Sequence, residues 1–300
     1  MSPILVVGSV AFDTLHNSQG SFPRVLGGSA VFASVCASLM SDVRLVGVVG
    51  EDYPESAKAM LRDRGVDLSG LEVSPGETFH WEGRYTDDLT SRESIRTDLN
   101  VFASFQPKIP EGFKDSPFVM LANIQPELQL SVLDQIRSPK LVVADTMNLW
   151  IDIAKPALLK LLARVDVLII NEEEARQLTE RHHLVEVQRA LLALGPKTVI
   201  VKQGEYGAWL FQEGVAFHAP AFPLEQVVDP TGAGDSFAGG FLGHLAQRDS
   251  IALPDLRQAV VVGSALASFC VEGIGTTRLV EVTKADVEQR VADFAKLVRV

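Results

Sequence analysis

Hydrophobic positions along this chain fall into short apolar runs that alternate with stretches of helical spacing. The runs are rich in Val, Ile and Leu, as is typical of strands buried on both faces. Strands that alternate with helices predict a parallel sheet covered on both sides, so the predicted fold class is α/β. The predicted strands span residues 4–10, 43–49, 118–122, 141–144, 165–170, 198–201 and 207–211, and the predicted helices span 28–39, 53–64, 127–136, 156–163, 184–194, 254–271 and 283–297.

Residues 78–102 follow a different pattern, in which apolar and polar side chains alternate. Aromatic residues, among them Trp81 and Tyr85, alternate with charged ones before a turn at Asp87-Asp88, and the alternation resumes after it. Period two is typical of strands that have one covered face. The segment therefore predicts a β-hairpin or small sheet that is distinct from the α/β body.

Composition narrows the function classes. The 300 residues carry a net charge of −11, which argues against a general nucleic-acid binder and offers no basic patch for a membrane surface. The most apolar helical run, 260–271, is shorter than the roughly 20 residues of a membrane span. Cys36 and Cys270 both lie in apolar helical patterns, which favours buried free thiols and a reducing compartment. With no basic and then apolar leader at the start, we expect a cytoplasmic protein.

The segment from Val228 to Phe241 carries the strongest chemical signal. Gly232 and Gly234 allow a tight turn and close approach to a ligand, and helical spacing begins at Asp235. A helix that begins there would present free N–H groups and a positive dipole end to an anion. A carboxylate at that position could accept a proton from an attacking hydroxyl. It could also be an ordinary N-cap beside a tight turn, so the glycines alone leave a structural role open.

The longer string D-P-T-G-A-G-D-S-F-A-G-G-F, residues 229–241, resembles the C-terminal signature of the ribokinase-like (pfkB) family of carbohydrate and nucleoside kinases. The resemblance implies that Asp235 is the catalytic base and that the backbone of Gly232, Ala233 and Gly234 forms an anion hole. It also implies a single kinase domain over 1–300, with a three-layer α/β/α body and a mostly parallel central sheet.

The resemblance further implies a small β lid over the sugar site, with strands in 11–26 and 78–102, through which some relatives form homodimers. It implies ATP and Mg²⁺ as cofactors. Asp229 and Thr231 match part of a loop that binds a monovalent cation such as K⁺ in some relatives, and Thr231 is also a candidate nucleotide-binding residue. No G-x-x-x-x-G-K-[ST] string occurs, so the chain is not a P-loop NTPase.

Candidate acceptor-binding residues lie near the start of the chain. Asp13 follows the first predicted strand, where the family holds substrate hydroxyls, although a lone Asp there is often a turn residue. Gly27 and Gly28 resemble the family's N-terminal glycine pair, which lines the sugar pocket. Ribokinase has an Asn four residues after the second glycine, whereas this chain has Phe32. That change argues against ribose and leaves a nucleoside, a cyclitol or another sugar open. Asn123, at a strand end, is a further acceptor candidate.

Candidate nucleotide and metal residues follow later strands. Asn171 and Glu174 match the family's N-x-x-E motif, which orders Mg²⁺ largely through water, although an Asn cap with acids after it is also good helix chemistry. In the family a G-x-x-G loop borders the nucleotide, which implies roles for Gly204 and Gly207. Lys202 lies directly before that loop and is also a candidate nucleotide-binding residue. Asp145 follows another strand, in a spacing that differs from the family's.

We therefore expect transfer of the ATP γ-phosphoryl group to a hydroxyl of a small sugar or sugar-like polyol. A nucleoside kinase is the alternative, because Phe32 and the lid aromatics could stack on a base. A non-catalytic ligand sensor on the same fold is a further alternative, but a sensor has no need of Asp235. A dinucleotide-dependent oxidoreductase is disfavoured, because no strand is followed by a complete G-x-G-x-x-G.

Overall fold

Strands and helices alternate along residues 2–89 and 91–297, which are the residues that the computed structural model describes. Residues 1, 90 and 298–300, which the predicted domain over 1–300 includes, lie outside the described residues. The strands are β1 (Ile4–Val7), β2 (Ala11–Asn17), β3 (Gly20–Gly27), β4 (Val43–Gly50), β5 (Val66–Ser74), β6 (Phe79–Tyr85), β7 (Arg92–Asp98), β8 (Phe118–Leu121), β9 (Leu141–Asp145), β10 (Val167–Asn171), β11 (Thr198–Lys202), β12 (Ala208–Gln212) and β13 (Val215–Ala219). The α-helices are α1 (Ser29–Ala37), α2 (Glu55–Asp63), α3 (Pro126–Leu133), α4 (Asn148–Ile153), α5 (Lys155–Leu162), α6 (Glu172–Thr179), α7 (Leu184–Ala193), α8 (Ala233–Arg248), α9 (Leu253–Cys270) and α10 (Lys284–Leu297).

The larger sheet has the strand order β13-β12-β11-β10-β9-β8-β1-β4-β5 within the described residues. All of its pairings from β11 to β5 are parallel, and the pairings β11–β12 and β12–β13 are antiparallel, so β12 alone among these described strands runs in the opposite direction. Parallel strands bring their carboxyl ends to one edge, where open α/β sheets bind ligands. That edge carries the ends of β9, β10 and β11, at Asp145, Asn171 and Lys202.

Helices cover both faces of this sheet, as the sequence predicts. Along β1 the side chains of Ile4 and Val6 join one buried cluster, whereas those of Leu5 and Val7 join another. The first cluster contains the apolar sides of α1, α8 and α9, and the second those of α3, α5, α6 and α7. Alternate residues of a strand point to opposite faces, so one apolar run supplies both layers. The predicted three-layer α/β/α architecture is confirmed.

The smaller sheet has the order β3-β2-β6-β7, and we call these four strands the lid. The pairs β2–β3 and β6–β7 are antiparallel, and β2 pairs with β6 in parallel. Residues 78–102 thus form the hairpin that their period-two pattern predicts. The predicted first strand over 4–10 is too long, because β1 ends at Val7 and the chain turns at Gly8 before entering the lid at Ala11. A Cβ at Gly8 would lie 2.7 Å from Cβ of Ala122 and 2.8 Å from Oγ of Ser29, so the turn needs glycine.

The apolar pattern of the sequence does not predict several of the elements. Strands β5 and β13 lie at the two edges of the large sheet, and their mixed exposure gives no continuous apolar run. The short helix α4 was also not predicted. Helix α8 begins at Ala233, two residues before the predicted start. Within the part of the chain that the structure describes, none of the helices is both long and apolar enough to cross a membrane.

Candidate active site

The N-terminus of α8 lies at the carboxyl edge of the large sheet, next to the end of β11. Gly232 is its N-cap, with a φ of 76° that favours glycine. The N–H of Ala233 donates to the Pro230 carbonyl at 3.2 Å, so the turn itself uses that N–H. Among the described residues no backbone carbonyl accepts from the N–H groups of Gly232 and Gly234. These are the groups that an anion at this helix end could use.

Asp235 lies in the first turn of α8 and is half-buried. Burial, with repulsion from Asp145, raises the pKa of its carboxyl to about 7, while Lys202 and Arg92 oppose the rise. An aspartate with that pKa changes its charge near neutral pH, as suits a group that accepts and returns a proton. Its environment therefore fits a general base better than a simple helix cap.

Lys202 extends from the end of β11 toward Asp145 and the backbone of Gly234. Its Nζ lies 3.8 Å from Oδ2 of Asp145, which ends β9. A Cβ at Gly234 would lie 2.6 Å from the same Nζ, so the lysine packs against the backbone of the glycine loop. Asp145 is buried, and burial raises the pKa of its carboxyl against the pull of Lys202. The strand order β9-β10-β11 brings these two side chains across β10.

Asn171 and Glu174 form a capping box at the start of α6. Asn171 Oδ1 accepts from the N–H of Glu174 at 2.8 Å, and Glu174 Oε2 accepts from the N–H of Asn171 at 3.1 Å. Burial, with repulsion from Asp145, raises the pKa of Glu174 to about 7. The pair is thus built into the helix end, which leaves Glu174 one carboxylate oxygen outside the capping box.

Asp13 lies on β2 of the lid, with 6 % of its surface exposed. Burial, with repulsion from Asp229 and Asp235, raises the pKa of its carboxyl to about 7, so Asp13 lies near the glycine loop. A Cβ at Gly27 would overlap the Asp13 carboxyl, so that carboxyl packs directly on the Gly27 backbone. Gly28 has a φ of 97°, and a Cβ there would lie 2.5 Å from the Ser9 carbonyl. Both glycines are therefore needed to hold Asp13 and the start of α1.

Asp229 and Thr231 organise the loop before α8. The Asp229 carboxylate accepts from the N–H of Thr231 at 2.9 Å and from the N–H of Gly275 at 3.2 Å, and it is buried. Thr231 Oγ1 lies 2.9 Å from the hydroxyl of Tyr85, on lid strand β6, and the Thr231 carbonyl accepts from Sγ of Cys270 at 3.3 Å. Asp229 therefore ties this loop to the turn at Gly275, and Thr231 ties it to the lid.

Phe32 lies in the core, with 1 % of its surface exposed. A Cβ at Gly232 would lie 2.5 Å from three atoms of the Phe32 ring, so the ring supports the glycine loop from below. A ring buried to that extent has no open face on which a sugar or a base could stack. The structure thus corrects the expectation that Phe32 faces the acceptor.

The remaining candidates have structural contacts of their own. Asn123 Oδ1 accepts from Nε1 of Trp150 at 2.8 Å, which holds the amide at the end of β8. Gly204 has a φ of 56° and open space around its Cα, whereas a Cβ at Gly207 would overlap the carbonyl of Ala219. Gly207 is thus required by packing between β12 and β13.

Sequence reasoning left Asp145 and Arg92 without a role, and it named Trp81 and Tyr85 only among the lid aromatics that could stack on a base. Asp145 stands at a strand end, which is a usable signal, but its partner Lys202 comes from a different strand. The three lid residues alternate with polar neighbours like any strand with one covered face, and only the folded lid shows that this face looks toward α8. Arg92 opposes the raised pKa values of Asp13, Glu174 and Asp235, so its charge acts on the same cluster.

Comparison with known proteins decides the family. A model described as pfkB family carbohydrate kinase matches residues 1–283. The chain belongs to this family. It is therefore a phosphotransferase with a hydroxyl acceptor, and kinases of this family use ATP. The resemblance stated from residues 229–241 is confirmed.

Known pfkB-family relatives differ in their acceptors. The chain is 31 % identical to a cytidine kinase of Thermococcus kodakarensis over 247 residues, which cover 81 % of this chain and 88 % of the relative. It is 25 % identical to an aminoimidazole riboside kinase of Salmonella typhimurium, over 92 % of this chain and 91 % of the relative. The crystal structure of a Vibrio cholerae fructokinase with fructose, ADP and calcium bound superposes with a TM-score of 0.81 at 20 % identity, covering 97 % of this chain and 99 % of that one. The family thus includes sugar and nucleoside kinases.

Proposed function

We propose that this pfkB-family member transfers the γ-phosphoryl group of ATP to a hydroxyl of a small sugar or sugar-like polyol. One observation carries the proposal: the Asp235 carboxyl, with a pKa of about 7, stands in the first turn of α8 beside the N–H groups of the glycine loop. Phosphoryl transfer to an alcohol requires a base that lies next to an anion site.

In the proposed reaction a hydroxyl oxygen of the acceptor forms a bond to the γ-phosphorus, and the bond from that phosphorus to the β,γ-bridging oxygen breaks, so ADP leaves. The proton of the hydroxyl passes to Asp235. The N–H groups of Gly232 and Gly234 donate to the transferring oxygens, where negative charge develops. Ala233 positions that turn, because its own N–H is bonded to Pro230.

Asp13 holds acceptor hydroxyls in this proposal. Its carboxyl is buried on the lid, and the contribution of Asp229 and Asp235 to its raised pKa supports a position close to the glycine loop. Gly27 and Gly28 let it reach that position, and Asn123 completes the acceptor side. Phe32 contributes by supporting Gly232.

Lys202 acts on the nucleotide side. Packed against Gly234 and 3.8 Å from Asp145, it can pair with a phosphate oxygen that approaches the helix end. Thr231, Gly204 and Gly207 are proposed to border the nucleotide. Asp229 and Thr231 remain the candidates for a loop that binds K⁺.

The residues present fit Mg²⁺ held through water and phosphate. Among the described residues no three His, Cys, Asp or Glu side chains form a group that could hold a metal ion directly. Burial nevertheless raises the pKa values of Asp145, Glu174 and Asp235, and repulsion from Asp145 adds to the rise at Glu174 and Asp235, which marks a place where added positive charge is favourable. Mg²⁺ would screen the phosphate charge there, with Asn171 and Glu174 ordering its water.

A nucleoside is the second candidate acceptor. The similarity to a cytidine kinase, 31 % over 81 % of this chain, favours it. A nucleoside carries the same kind of hydroxyl on its ribose, so the roles of Asp13 and Asp235 would not change.

The test is ADP formation by the purified protein with ATP, Mg²⁺ and K⁺ against a panel of pentoses, hexoses, ketoses, sugar acids, inositols and nucleosides. We expect ADP release that depends on one acceptor class. Asp235→Asn should lower turnover by about 10²-fold or more while calorimetry shows ATP binding retained. Asp63→Asn, at an exposed position at the end of α2, is the matched control and should behave as the parent protein. Ligand binding without ADP release from any acceptor would favour a sensor and overturn the proposal.

A further inference from the structure

One face of the lid is directed toward the loop that precedes α8. The register of the lid strands identifies the side chains on that face. Asp13 and Trp81 are paired residues of β2 and β6, and Tyr85 and Arg92 are paired residues of β6 and β7. Paired residues of neighbouring strands project from the same face, as do residues two and four apart on one strand. The Tyr85 hydroxyl reaches Thr231, and repulsion from Asp235 contributes to the raised pKa of Asp13. Trp81 and Arg92 therefore face the same cleft.

The indole of Trp81 is fixed in a flat position on this face. A Cβ at Gly83 would overlap the six-membered ring of the indole, so the ring lies directly over the Gly83 backbone. Nε1 of Trp81 donates to Oγ of Ser94 at 3.0 Å, and Ser94 is the cross-strand partner of Gly83. The ring thus has one side on the lid and the other toward the cleft, and it is only half-buried.

The chemistry of the open ring face restricts what can bind on it. The only polar group of an indole is its N–H, and Ser94 already accepts from it. The surface that remains is apolar and planar, so a sugar could cover it only through its C–H groups, and any hydroxyl placed against it would lose water without gaining a partner. A planar heterocycle stacks there favourably. The Arg92 guanidinium lies over this ring, 5.7 Å from its centroid, and can donate to a carbonyl or ring nitrogen of such a ligand.

We propose that Trp81 is the residue that determines acceptor specificity and that it stacks on the base of a nucleoside whose ribose hydroxyls face Asp13. The proposal rests on the proposed kinase function and selects nucleosides from its acceptor classes. The pairing of Trp81 with Asp13 across β2 and β6 gives the base and the ribose adjacent sites on one surface. Arg92, whose guanidinium lies over the same ring, gives the base site a donor.

Tryptophan emission tests the contact without any need for turnover. The chain has three tryptophans, and excitation at the red edge of their absorption is followed while cytidine, uridine or adenosine is added in the presence of Mg²⁺. We expect at least one nucleoside to quench the emission, while ribose, fructose and myo-inositol do not. The response should be lost in Trp81→Phe and kept in Trp209→Phe, whose ring stacks on Phe211 in β12. Quenching by a sugar or cyclitol alone would overturn the nucleoside assignment.

Kinetics separate the failure of this proposal from the failure of the kinase function. Trp81→Ala should raise KM for the nucleoside by about 10- to 100-fold and change KM for ATP little, because stacking acts on the acceptor alone. Trp81→Phe keeps an aromatic face and should restore most of the loss, which a merely structural role would not predict. Nucleoside-dependent ADP formation with an unchanged KM in Trp81→Ala would overturn the role of Trp81 while leaving the kinase in place. Nucleoside quenching without ADP formation would support the contact and count against the kinase.

Discussion

The hydroxyl of Tyr85 lies 2.9 Å from the hydroxyl of Thr231, although the two residues are 146 positions apart in the chain. Tyr85 ends the lid strand β6, and Thr231 immediately precedes the N-cap of α8. Both side chains are buried, at 7 % and 8 % exposure. A second bond joins the same two parts of the molecule, from Nδ2 of Asn17 on β2 to the Val228 carbonyl at 3.0 Å. The lid and the loop that precedes α8 are therefore held as one unit.

Replacing Tyr85 by Phe tests whether that unit matters for catalysis. The change removes one hydroxyl and leaves the Thr231 hydroxyl without this partner, so we expect the free energy of unfolding to fall by about 1–2 kcal/mol. We also expect a lower kcat, because the loop that precedes Gly232 loses a fixed contact, and a nearly unchanged KM for ATP. Urea unfolding and steady-state kinetics measure the two effects.

Tyr53→Phe is the matched control. The Tyr53 hydroxyl is also buried, but the described residues give it no hydrogen-bond partner. Its removal should cost little stability and leave kcat unchanged. If the two variants lose kcat equally, the contact between Tyr85 and Thr231 has no special role.

The sequence predicts those parts of the site that are continuous in the chain. Residues 229–241 carry the loop, the helix start and Asp235 in one string, so local rules are enough to place them. The capping box at Asn171 and Glu174 is also formed by residues close in the chain, so it too can be recognised in the sequence. Likewise, the alternation in residues 78–102 predicts the hairpin, because period two reports directly on which face is covered.

Contacts between distant segments could not be predicted in this way. All nine residues of α1 are buried, so its apolar pattern has no polar side to show which face meets the cleft. Phe32 was expected to face the acceptor because it takes the place of an Asn in the ribokinase pattern, whereas it packs under Gly232. The pairing of Asp145 with Lys202 depends on the order of β9, β10 and β11, and that of Asp13 with Trp81 depends on the register between β2 and β6. Strand order and register follow from the whole fold.

The pH dependence of turnover should follow the ionisation of the carboxyl groups of Asp13, Glu174 and Asp235. In the proposed reaction Asp235 must be ionised to accept a proton, and burial raises its pKa to about 7, so we expect protonation to inactivate the enzyme below that pH. We expect kcat/KM, which reflects the free enzyme, to fall about tenfold per pH unit below about 7. Asp13 and Glu174 have similarly raised pKa values, so the observed value belongs to the cluster as a whole. A kcat/KM that stays level down to about pH 5 would contradict a base in this environment.

Asp13→Asn should stabilise the folded protein at neutral pH. The pKa of Asp13 rises from 3.8 to about 7 on folding, so between these values the folded state binds more protons than the unfolded state. Stability contributed by the group is present at low pH and is lost as pH rises toward about 7. Asparagine removes this penalty, so the gain in unfolding free energy should be near zero at about pH 4 and reach about 2–4 kcal/mol at about pH 8. Acceptor binding should be lost at the same time.

Asp52→Asn provides the opposite case. The Asp52 carboxylate accepts from the backbone and side chain of Thr78 and pairs with Arg24. Burial acts to raise its pKa, but the hydrogen bonds to Thr78 and Arg24 together outweigh burial and hold that pKa below the ordinary value. Its contribution to stability is therefore present at neutral pH and is lost as pH falls. The substitution should destabilise the protein at about pH 7. Chemical unfolding of both variants across pH tests the two signs together, and a parallel response would contradict the buried charge of Asp13.

Gly27→Ala tests how tightly the Asp13 carboxyl is held against the Gly27 backbone. The three atoms nearest to a Cβ at Gly27 all belong to that carboxyl, so the methyl group must displace it. We expect a loss of about 1–3 kcal/mol in unfolding free energy, as for other overpacked sites, and a KM for the acceptor that rises at least about tenfold. Gly112→Ala is the control, because nothing lies within 4 Å of a Cβ there.

In an Asp13→Ala background the stability cost of Gly27→Ala should largely disappear, since the clashing carboxyl is gone. An unchanged cost in that background would mean that Gly27 is required by the turn alone and does not position Asp13.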